Sequence, residues 1–299
     1  MTQHNKKAIT PRVSVGMPVY NGEKFIREAL DSLLAQTFTN FEIIISDNAS
    51  TDGTPIICSE YAERDSRIRY VRQAENIGIM KNFQFVLDEA IGEYFMWAAH
   101  DDLWGEKFIE ENFIFLNEHD DYIASISATI DYKGLTSKEV GILIIDDDTS
   151  ESRIRRICKN QYGNAKFYSL FRRNLIADIN HSDFSYIAGD WSIMLIYAKR
   201  GKFNVINNDV GFTKRAGISS NLVRYLDKFR TNNIEYFFPF YYYSIFVIKE
   251  IKSFKNRLDI FLYLFLLNIY IATIYYISHF KWPYRLEIFR KKFGYHESS

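Results

Sequence analysis

The amino-acid sequence predicts an α/β fold with a mostly parallel central sheet. In the N-terminal third, short apolar runs alternate with segments in which apolar residues recur every three or four positions. Such alternation is typical of right-handed crossovers between parallel strands, with helices on both faces of the sheet. The chain has 299 residues, of which 47% are apolar and 25% charged. This length and composition allow a buried core and exclude a disordered or linker-rich protein.

The predicted elements follow in order along the chain. Buried strands are predicted at residues 13–17, 41–45, 68–71 and 94–98. Helices are predicted at residues 23–36, 54–64 and 79–91. Further along, the pattern predicts strands at 123–130 and 142–145 and helices at 167–173 and 191–199. The first four strands therefore alternate with helices, as an α/β fold requires.

Net charge and cysteine content narrow the range of functions. The 37 basic residues balance the 37 acidic ones, so the charge gives no support for a nucleic-acid partner. Cys58 and Cys158 cannot form a disulfide framework and lack metal-ligand spacing, which indicates a reducing, cytoplasmic setting. The N-terminus lacks the apolar run of a secretory signal, and the sequence contains no P-loop, G-x-S-x-G elbow or zinc-type histidine spacing.

The C-terminal part differs in composition from the rest. Much of the 17% aromatic content lies late in the chain, including the apolar runs 236–247 and 260–277. Between residues 249 and 292 there are nine basic residues and three acidic ones. Apolar, tyrosine-rich faces beside lysines suit an anionic membrane surface, so we expect peripheral attachment at the cytoplasmic face of the membrane through residues 236–292. Packing on the domain or in a homo-oligomer stays open, as does a membrane span.

Polar residues directly follow three of the predicted strands, in segments 18–21, 46–50 and 99–102. Ligands of open α/β sheets bind at the carboxyl ends of the strands, so these segments are candidates for one site. The adjacent carboxylates of Asp101 and Asp102 repel each other, and a divalent cation on phosphate oxygens would relieve that repulsion. The alternative is a helix N-terminus whose dipole the two acidic residues complement.

Three further residues are weaker candidates when each is taken alone. The Asp47 carboxylate suits a base N–H or a ribose hydroxyl, although its neighbours are also typical of a turn. Asp190 opens a predicted helix, where an acidic residue is commonly a cap. Arg215 suits either a phosphate or a solvent-facing loop.

Four motifs in this order resemble the inverting family-two glycosyltransferases. They are Pro18-Val19-Tyr20-Asn21, the run DNASTDGT at 47–54, Glu75-Asn76-Ile77-Gly78, and Asp101-Asp102. The resemblance covers about residues 11–105 and extends more weakly through 188–191 and 215–220. It implies a GT-A fold within residues 1–220, a nucleotide-diphosphate-sugar donor, and transfer to an acceptor hydroxyl with inversion. Residues 221–299 would form a helical, aromatic and basic extension.

The resemblance also implies roles for individual residues. Asp190 would be the catalytic base, and Asp102 would hold Mn²⁺ or Mg²⁺ on the diphosphate. The residues expected to bind the nucleotide are Pro18, Val19, Tyr20, Asn21, Asp47, Asn76, Lys81, Asp101 and Arg215. For Lys81, a solvated helix face stays open as the alternative. Ala99 and Gly217 stand where many family members carry an aspartate and a histidine, which leaves the degree of metal dependence open.

We therefore expect a hexosyl- or deoxyhexosyltransferase that extends a surface polysaccharide or O-antigen-type glycan, with the acceptor carried on a polyprenyl lipid. Two other classes stay open. A non-catalytic nucleotide-sugar-binding scaffold is favoured by Ala99 and Gly217. A nucleotidyltransferase would share the α/β fold, but residues 18–21 are not the glycine-rich basic loop that it would carry after the first strand.

Overall fold

The structure is a computed structural model that describes residues 10–127, 129–131, 144–159, 165–206, 211–214 and 222–279. The chain divides into two compact units. The first unit comprises Met1–Ser185 and Asp190–Arg215, and the second comprises Tyr186–Gly189 and Ala216–Ser299. The functional division that the sequence predicts between residues 220 and 221 stays a prediction.

The described part of the first unit contains the strands and most of the helices. Its strands are β1 (Val13–Val19), β2 (Phe41–Asp47), β3 (Ile68–Arg72), β4 (Tyr94–Trp97), β5 (Leu103–Trp104), β6 (Tyr122–Ser127), β7 (Thr129–Asp131), β8 (Leu170–Arg172), β9 (Lys202–Ile206) and β10 (Phe212–Lys214). Its helices are α1 (Ile26–Leu34), α2 (Thr54–Arg64), α3 (Ile79–Asp88), α4 (Phe108–Glu118), α5 (Ser150–Lys159) and α6 (Gly189–Arg200), the last beginning at the unit boundary.

The main sheet has seven strands in the order β3-β2-β1-β4-β8-β6-β9. The first four strands of this order run parallel, β6 and β9 are also parallel, and β8 is antiparallel to both of its neighbours. A smaller sheet has the order β5-β10-β7. The predicted α/β class with a mostly parallel central sheet is confirmed.

The local pattern of apolar residues explains the elements nearest the N-terminus. Every residue of β1 is buried, as expected for a central parallel strand that is covered on both faces. In α1 the buried residues recur at helical spacing: Ile26, Ala29, Leu30 and Leu33. Burial of one leucine- or isoleucine-sized side chain contributes roughly 1.5–3 kcal/mol to the free energy of folding. This face therefore stabilises the packing of α1 on the sheet.

The helix predicted at residues 167–173 is wrong. The segment forms a short 3-10 turn (Ala165–Tyr168), the strand β8 and a second 3-10 turn (Arg173–Leu175). Phe171 is fully buried and its ring contacts those of Trp97 and Tyr197, with centroids 6.0 and 5.1 Å away. Because β8 fills the space between β4 and β6, long-range pairing overrides the local helical pattern.

The second unit is helical in its described part. It contains α7 (Leu222–Phe229), a 3-10 turn (Asn233–Tyr236), α8 (Tyr241–Glu250) and α9 (Phe254–His279). On α9, Ile260, Leu264, Asn268 and Ala272 are buried at every fourth position. This spacing places one side of α9 against the rest of the unit.

Candidate functional site

The carboxyl ends of β1 and β2 lie side by side. Val19 pairs with Asp47 in the parallel register, and the Asn48 N–H donates to the Val19 carbonyl at 2.8 Å. Beyond them, Tyr20 is 46% exposed and Asn21 is exposed. The structure therefore brings the first two sequence-predicted segments to one edge of the sheet, where α/β proteins bind ligands. Pro18 and Val19 are buried within β1, so of this motif Tyr20 and Asn21 are the residues open to a ligand.

Asp47 is fully buried at this edge. Its Oδ1 accepts a hydrogen bond from the Ser50 N–H at 2.8 Å, and its Oδ2 accepts one from the Tyr70 hydroxyl at 2.9 Å. Burial and this hydrogen bond to the carboxylate raise the pKa of Tyr70. The Arg72 Nε lies 3.9 Å from Oδ2. Asp47 therefore ties β2 to β3 and to the following loop, and any contact with a base has to use its remaining lone pairs.

Asn48 holds the segment that follows β3. Its side-chain oxygen accepts from the Ile77 N–H at 2.8 Å, and its amide donates to the Asn76 Oδ1 at 3.1 Å and to the Gly78 carbonyl. Gly78 has φ +90°, a value that glycine adopts without the penalty of a side chain. The predicted residue Asn76 is thus part of a loop that Asn48 shapes. Lys81, in the first turn of α3, is exposed.

Left-handed backbone conformations mark three of the segments singled out in the sequence. Among the described residues, the non-glycine residues with positive φ are Asn21 (53°), Ala49 (59°) and Ala188 (61°). They follow β1, follow β2 and precede the start of α6, respectively. An L-residue in this conformation costs roughly 1–2 kcal/mol. Backbone strain of this kind is concentrated at functional sites, which supports a site at the turns after β1 and β2.

Three carboxylates from two distant parts of the sequence lie close to Tyr168. This residue ends the 3-10 turn before β8 and is partly buried, with its ring centroid 6.4 Å from that of Trp104. Burial raises the pKa of the Tyr168 hydroxyl, and the charges of Asp102, Asp101 and Asp190 raise it further. Because their charges reach the same hydroxyl, the acidic pair after β4 and the acidic residue of α6 are candidates for one site.

Asp190 is oriented by the helix that carries it. It lies in the first turn of α6, and its Oδ1 accepts a hydrogen bond from the Trp191 N–H at 2.9 Å. A carboxylate at this position is favoured by the positive end of the helix dipole. Further along α6, the Tyr197 hydroxyl contacts His181, whose Nδ1 is 2.6 Å from the Gln84 Oε1 on α3. These buried contacts fix α6 against α3.

His100 packs beside the acidic pair and against the turn after β1. A Cβ at Gly22 would lie 2.7 Å from the His100 ring, so only glycine fits this close approach. Burial lowers the pKa of His100, while the charges of Asp101 and Asp52 oppose that shift. The ring therefore links the turn after β1 to the acidic pair after β4.

The donor groups at the acidic pair suit Mg²⁺ or Mn²⁺. Asp102 is 2% exposed and lies next to Asp101, and buried carboxylates require a cation or hydrogen-bond donors. Within the described ranges, no group of three or more His, Cys, Asp or Glu side chains could hold a metal ion. A cation that takes one or two carboxylates and fills its remaining positions with phosphate oxygens and water fits this donor set.

Sequence reasoning missed several residues that contact the predicted ones. Arg72 is the last residue of β3. Its position at a strand end is the signal by which the sequence could have identified it. No sequence signal distinguishes Tyr168, because only tertiary packing brings it near Asp102 and Asp190. The predicted residue Arg215 and the departure at Gly217 lie outside the residues that the structure describes.

Comparison with known families agrees with this fold. Residues 14–180 match the family model described as Glycosyl transferase family 2. Because the match spans more than half of the chain, the chain belongs to glycosyltransferase family 2. A glycosyltransferase of Rickettsia typhi is 40% identical over 111 residues, which cover 37% of this chain and 34% of that protein. The chain therefore spans about a third of the length of that relative.

Solved structures show the same fold. S. aureus TarS 1–349 in complex with UDP-GlcNAc is 20% identical, with a TM-score of 0.61 over 94% of this chain and 76% of that chain. The mannosyltransferase PcManGT from Pyrobaculum calidifontis, in complex with GDP-Man and Mn²⁺, is 18% identical, with a TM-score of 0.53 over 95% of this chain and 80% of that chain. The expected GT-A fold, with a helical C-terminal extension, is confirmed.

Proposed function

We propose that this chain is an inverting, metal-dependent glycosyltransferase that moves a hexosyl or deoxyhexosyl group from a nucleotide-diphosphate sugar to an acceptor hydroxyl. One observation carries the proposal: Asp102 is buried in the segment between β4 and β5, and Asp190 opens α6 with one carboxylate oxygen bound to the Trp191 N–H. The charges of both residues also raise the pKa of Tyr168. Inversion by one in-line displacement needs a base on the face opposite the leaving group, and a metal-binding carboxylate near the leaving diphosphate has a separate role. Family membership and nucleotide-sugar complexes among the solved neighbours support it.

Asp190 is the proposed catalytic base. As the acceptor oxygen attacks the anomeric carbon, Asp190 takes the acceptor proton, and the bond between that carbon and the diphosphate oxygen breaks. The nucleoside diphosphate leaves with the bonding electron pair on the face opposite the attack. The Trp191 N–H, bound to one oxygen of Asp190, fixes the direction of the carboxylate.

Asp102 is the proposed metal ligand, with Asp101 close to the ribose. A bound Mn²⁺ or Mg²⁺ would supply electrostatic stabilisation of the negative charge that develops on the departing diphosphate. Tyr168, whose pKa the charges of these acidic residues and of Asp190 raise, is proposed to orient the donor. The proposal assigns no metal ligand to residue 99, because Ala99 has no donor side chain.

The nucleotide is proposed to bind along the ends of β1 and β2. Tyr20 and Asn21 are open to a base, whereas Pro18 and Val19 form the buried floor beneath them. Asp47 contributes through its remaining lone pairs, and Asn76, Lys81 and Arg215 stay as proposed nucleotide contacts. UDP and GDP sugars are the donors found with TarS and PcManGT, and they are the first candidates here.

The acceptor is proposed to be a surface polysaccharide or O-antigen-type glycan carried on a polyprenyl lipid. Such an acceptor would place the enzyme at the cytoplasmic face of the membrane. The aromatic and basic composition of residues 236–292 supports this location.

Calorimetric titration with UDP, GDP and dTDP, each with Mn²⁺ and then with EDTA, tests the proposal. We expect one nucleotide to bind with Mn²⁺ and Asp102→Asn to weaken that binding by about tenfold or more, since a coordinating charge is lost. Asp190→Asn should bind the nucleotide as the wild type does. Its rate of transfer from the matching nucleotide sugar should fall by about 10²–10⁴-fold, as expected on loss of a general base.

Asp148→Asn is the matched control, because the Asp148 side chain is 96% exposed and pairs only loosely with Lys202 at 3.6 Å. This variant should leave nucleotide binding and transfer unchanged. If no nucleotide binds under any condition, the transferase proposal fails and a scaffold role replaces it. If binding is independent of metal and survives Asp102→Asn, the fold stands but the proposed mechanism does not.

A further inference from the structure

Among the residues that the structure describes, one side of α9 is apolar and exposed. Its exposed residues recur at helical spacing and form what we call the outer face of α9: Leu258, Phe261, Leu262, Phe265, Leu266, Ile269 and Tyr270. Their exposed fractions run from 36% to 61%. At a rise of about 1.5 Å per residue, this face extends for about 18 Å along the helix. Monomeric water-soluble proteins rarely expose a continuous apolar strip of this length unless it binds a partner.

The loop before α8 enlarges the same apolar surface. Phe237 is 65% exposed and Phe238 is 38% exposed. The ring of Phe238 lies 6.3 Å from that of Phe265, and Phe265 is stacked on Phe261 with centroids 6.2 Å apart. The outer face and this loop therefore form one continuous surface, in which aromatic rings predominate.

The opposite side of α9 packs on the rest of the second unit. The Asn268 side chain accepts from the Phe240 N–H at 2.7 Å and donates to the Ser244 Oγ at 3.0 Å. Near the C-terminal end of the helix, the Tyr275 hydroxyl donates to Asp227 at 2.8 Å, and the Arg230 guanidinium lies over the Tyr275 ring. These polar and charged contacts hold one face of α9 on the second unit.

This arrangement distinguishes α9 from a helix of a protein core and from a helix that spans a membrane. Residues Phe254–Ile277 are long and apolar enough to cross a membrane, with a mean hydropathy of 2.0. Only 28% of the most apolar window is buried, whereas a core helix would be mostly buried. A span would draw the Asp227 and Arg230 charges into hydrocarbon, which is costly. A helix that lies in the membrane surface exposes one face to lipid and keeps the other on protein.

Charge identifies the partner that this surface fits. Three exposed lysines lie around the start of α9: Lys249 in the last turn of α8, Lys252 in the loop between the two helices, and Lys255 in the first turn of α9. The Arg257 guanidinium, in contrast, is bound to the Ile251 carbonyl. Each lysine near an anionic membrane adds to binding, and lysine stems can lie along the apolar surface while the ammonium groups reach phosphate. An aromatic, apolar strip with lysines at one end matches the headgroup region of an anionic bilayer.

We propose that the second unit docks on an anionic lipid bilayer through the outer face of α9, which lies parallel to the membrane plane, with Lys249, Lys252 and Lys255 on lipid phosphates. The inference is independent of the transfer reaction, because it concerns a surface and not the catalytic residues. Chain connectivity then keeps the catalytic unit at the membrane, where a lipid-carried acceptor would be found.

Sedimentation of the full chain with sucrose-loaded vesicles, without donor or acceptor, tests the proposal. We expect binding to phosphatidylcholine vesicles that contain about 30% phosphatidylglycerol and weak binding to pure phosphatidylcholine. The double variant Leu262→Asp, Leu266→Asp should weaken binding by about tenfold or more, since it removes two inserting side chains. Three single variants should each weaken binding to anionic vesicles by about fivefold: Lys249→Ala, Lys252→Ala and Lys255→Ala.

The matched control is the double variant Ile56→Asp, Ile91→Asp, which changes exposed apolar residues of the first unit. It should bind vesicles as the wild type does. Unfolding curves of both double variants establish that they are folded, since all four positions are exposed. No vesicle binding by the wild type, or equal loss in both double variants, overturns the proposal.

A fluorescent thiol label locates the contact. Cys58 and Cys158 are fully buried, so a dye attached to Leu266→Cys reports on the outer face alone. We expect a blue shift of its emission with anionic vesicles and none for the same dye at Ile56→Cys. If the wild type instead forms a dimer that Leu262→Asp, Leu266→Asp dissociates, and no blue shift occurs on vesicles, the outer face joins two copies of the chain and the membrane proposal is overturned.

Discussion

In the first unit, Trp97 and Phe171 are fully buried, whereas in the second unit Phe261 and Phe237 are 50% and 65% exposed. Side chains of the same kind thus lie inside one unit and outside the other. In the first unit they pack on each other between strands, with ring centroids of Trp97 and Phe171 6.0 Å apart. In the second unit a helix of 26 residues packs by one side only.

This difference distinguishes aromatic rings that stabilise the fold from aromatic rings that are available to bind a partner. A buried ring contributes its transfer energy to folding, whereas an exposed ring contributes it only when a partner covers it. Polar groups show the opposite distribution. The first unit brings Asp102 and Asp190 to the edge of its sheet, while the buried amide of Asn268 in the second unit serves to join helices. Chemistry is therefore proposed for the first unit and attachment for the second.

The largest expected effect compares one ring from each unit. Phe171→Ala should lower the free energy of unfolding by about 3–5 kcal/mol, because it leaves a cavity between β4, β6 and α6. Phe261→Ala should change it by less than about 0.5 kcal/mol, because the ring is already half exposed. Urea unfolding of both variants measures the difference. A loss above about 2 kcal/mol for Phe261→Ala would show that the outer face is covered in the free protein.

The protonation of the buried residue His181 reports whether water enters the core of the first unit. Burial lowers the pKa of His181 to about 4, from 6.5. The unfolded chain therefore binds a proton more readily, and stability is fully present above pH 6.5 and lost as the pH falls towards 4. The loss should approach about 3 kcal/mol.

Urea unfolding between neutral and acidic pH measures this effect. His181→Gln is the control, because it removes the titrating group and should flatten the pH dependence of the unfolding free energy over that window. Equal slopes for the wild type and His181→Gln would mean that His181 is protonated within the folded protein, so that the core around Tyr197 is open to water.

The smallest expected effect concerns the strained turn after β2. Ala49 has φ +59°, and Ala49→Gly should raise the free energy of unfolding by up to about 1 kcal/mol as the strain is relieved. Ala62→Gly, within α2, should lower it by about 1 kcal/mol. Thermal unfolding distinguishes the two signs. A loss of stability in Ala49→Gly would show that packing of the Ala49 methyl group outweighs the backbone strain.

The sequence predicted the elements that depend on local pattern. The predicted strands at 13–17 and 41–45 correspond to β1 and β2, because short apolar runs are typical of buried parallel strands. The predicted helix at 54–64 corresponds to α2, whose buried residues recur at helical spacing. The strand β8 was predicted as a helix. Its conformation depends on pairing with β4 and β6, which lie far away in the sequence.

The candidate site shows the same division. Its motifs placed Asp102 and Asp190 as separate candidates, and their proposed roles stay predictions. Their common effect on Tyr168 depends on crossovers that bring the end of β4 and the start of α6 together. The burial of Asp47 beneath Tyr70 is likewise a property of the folded sheet.

The sequence by itself determined the α/β class, the positions of the acidic motifs and the apolar, basic composition of the C-terminal part. The tertiary structure alone decided which carboxylates act on Tyr168 and which side of α9 is exposed among the described residues. The reason is physical: hydrophobic periodicity is written into neighbouring residues, whereas the distance between two charges and the exposure of one helix face depend on how distant segments pack.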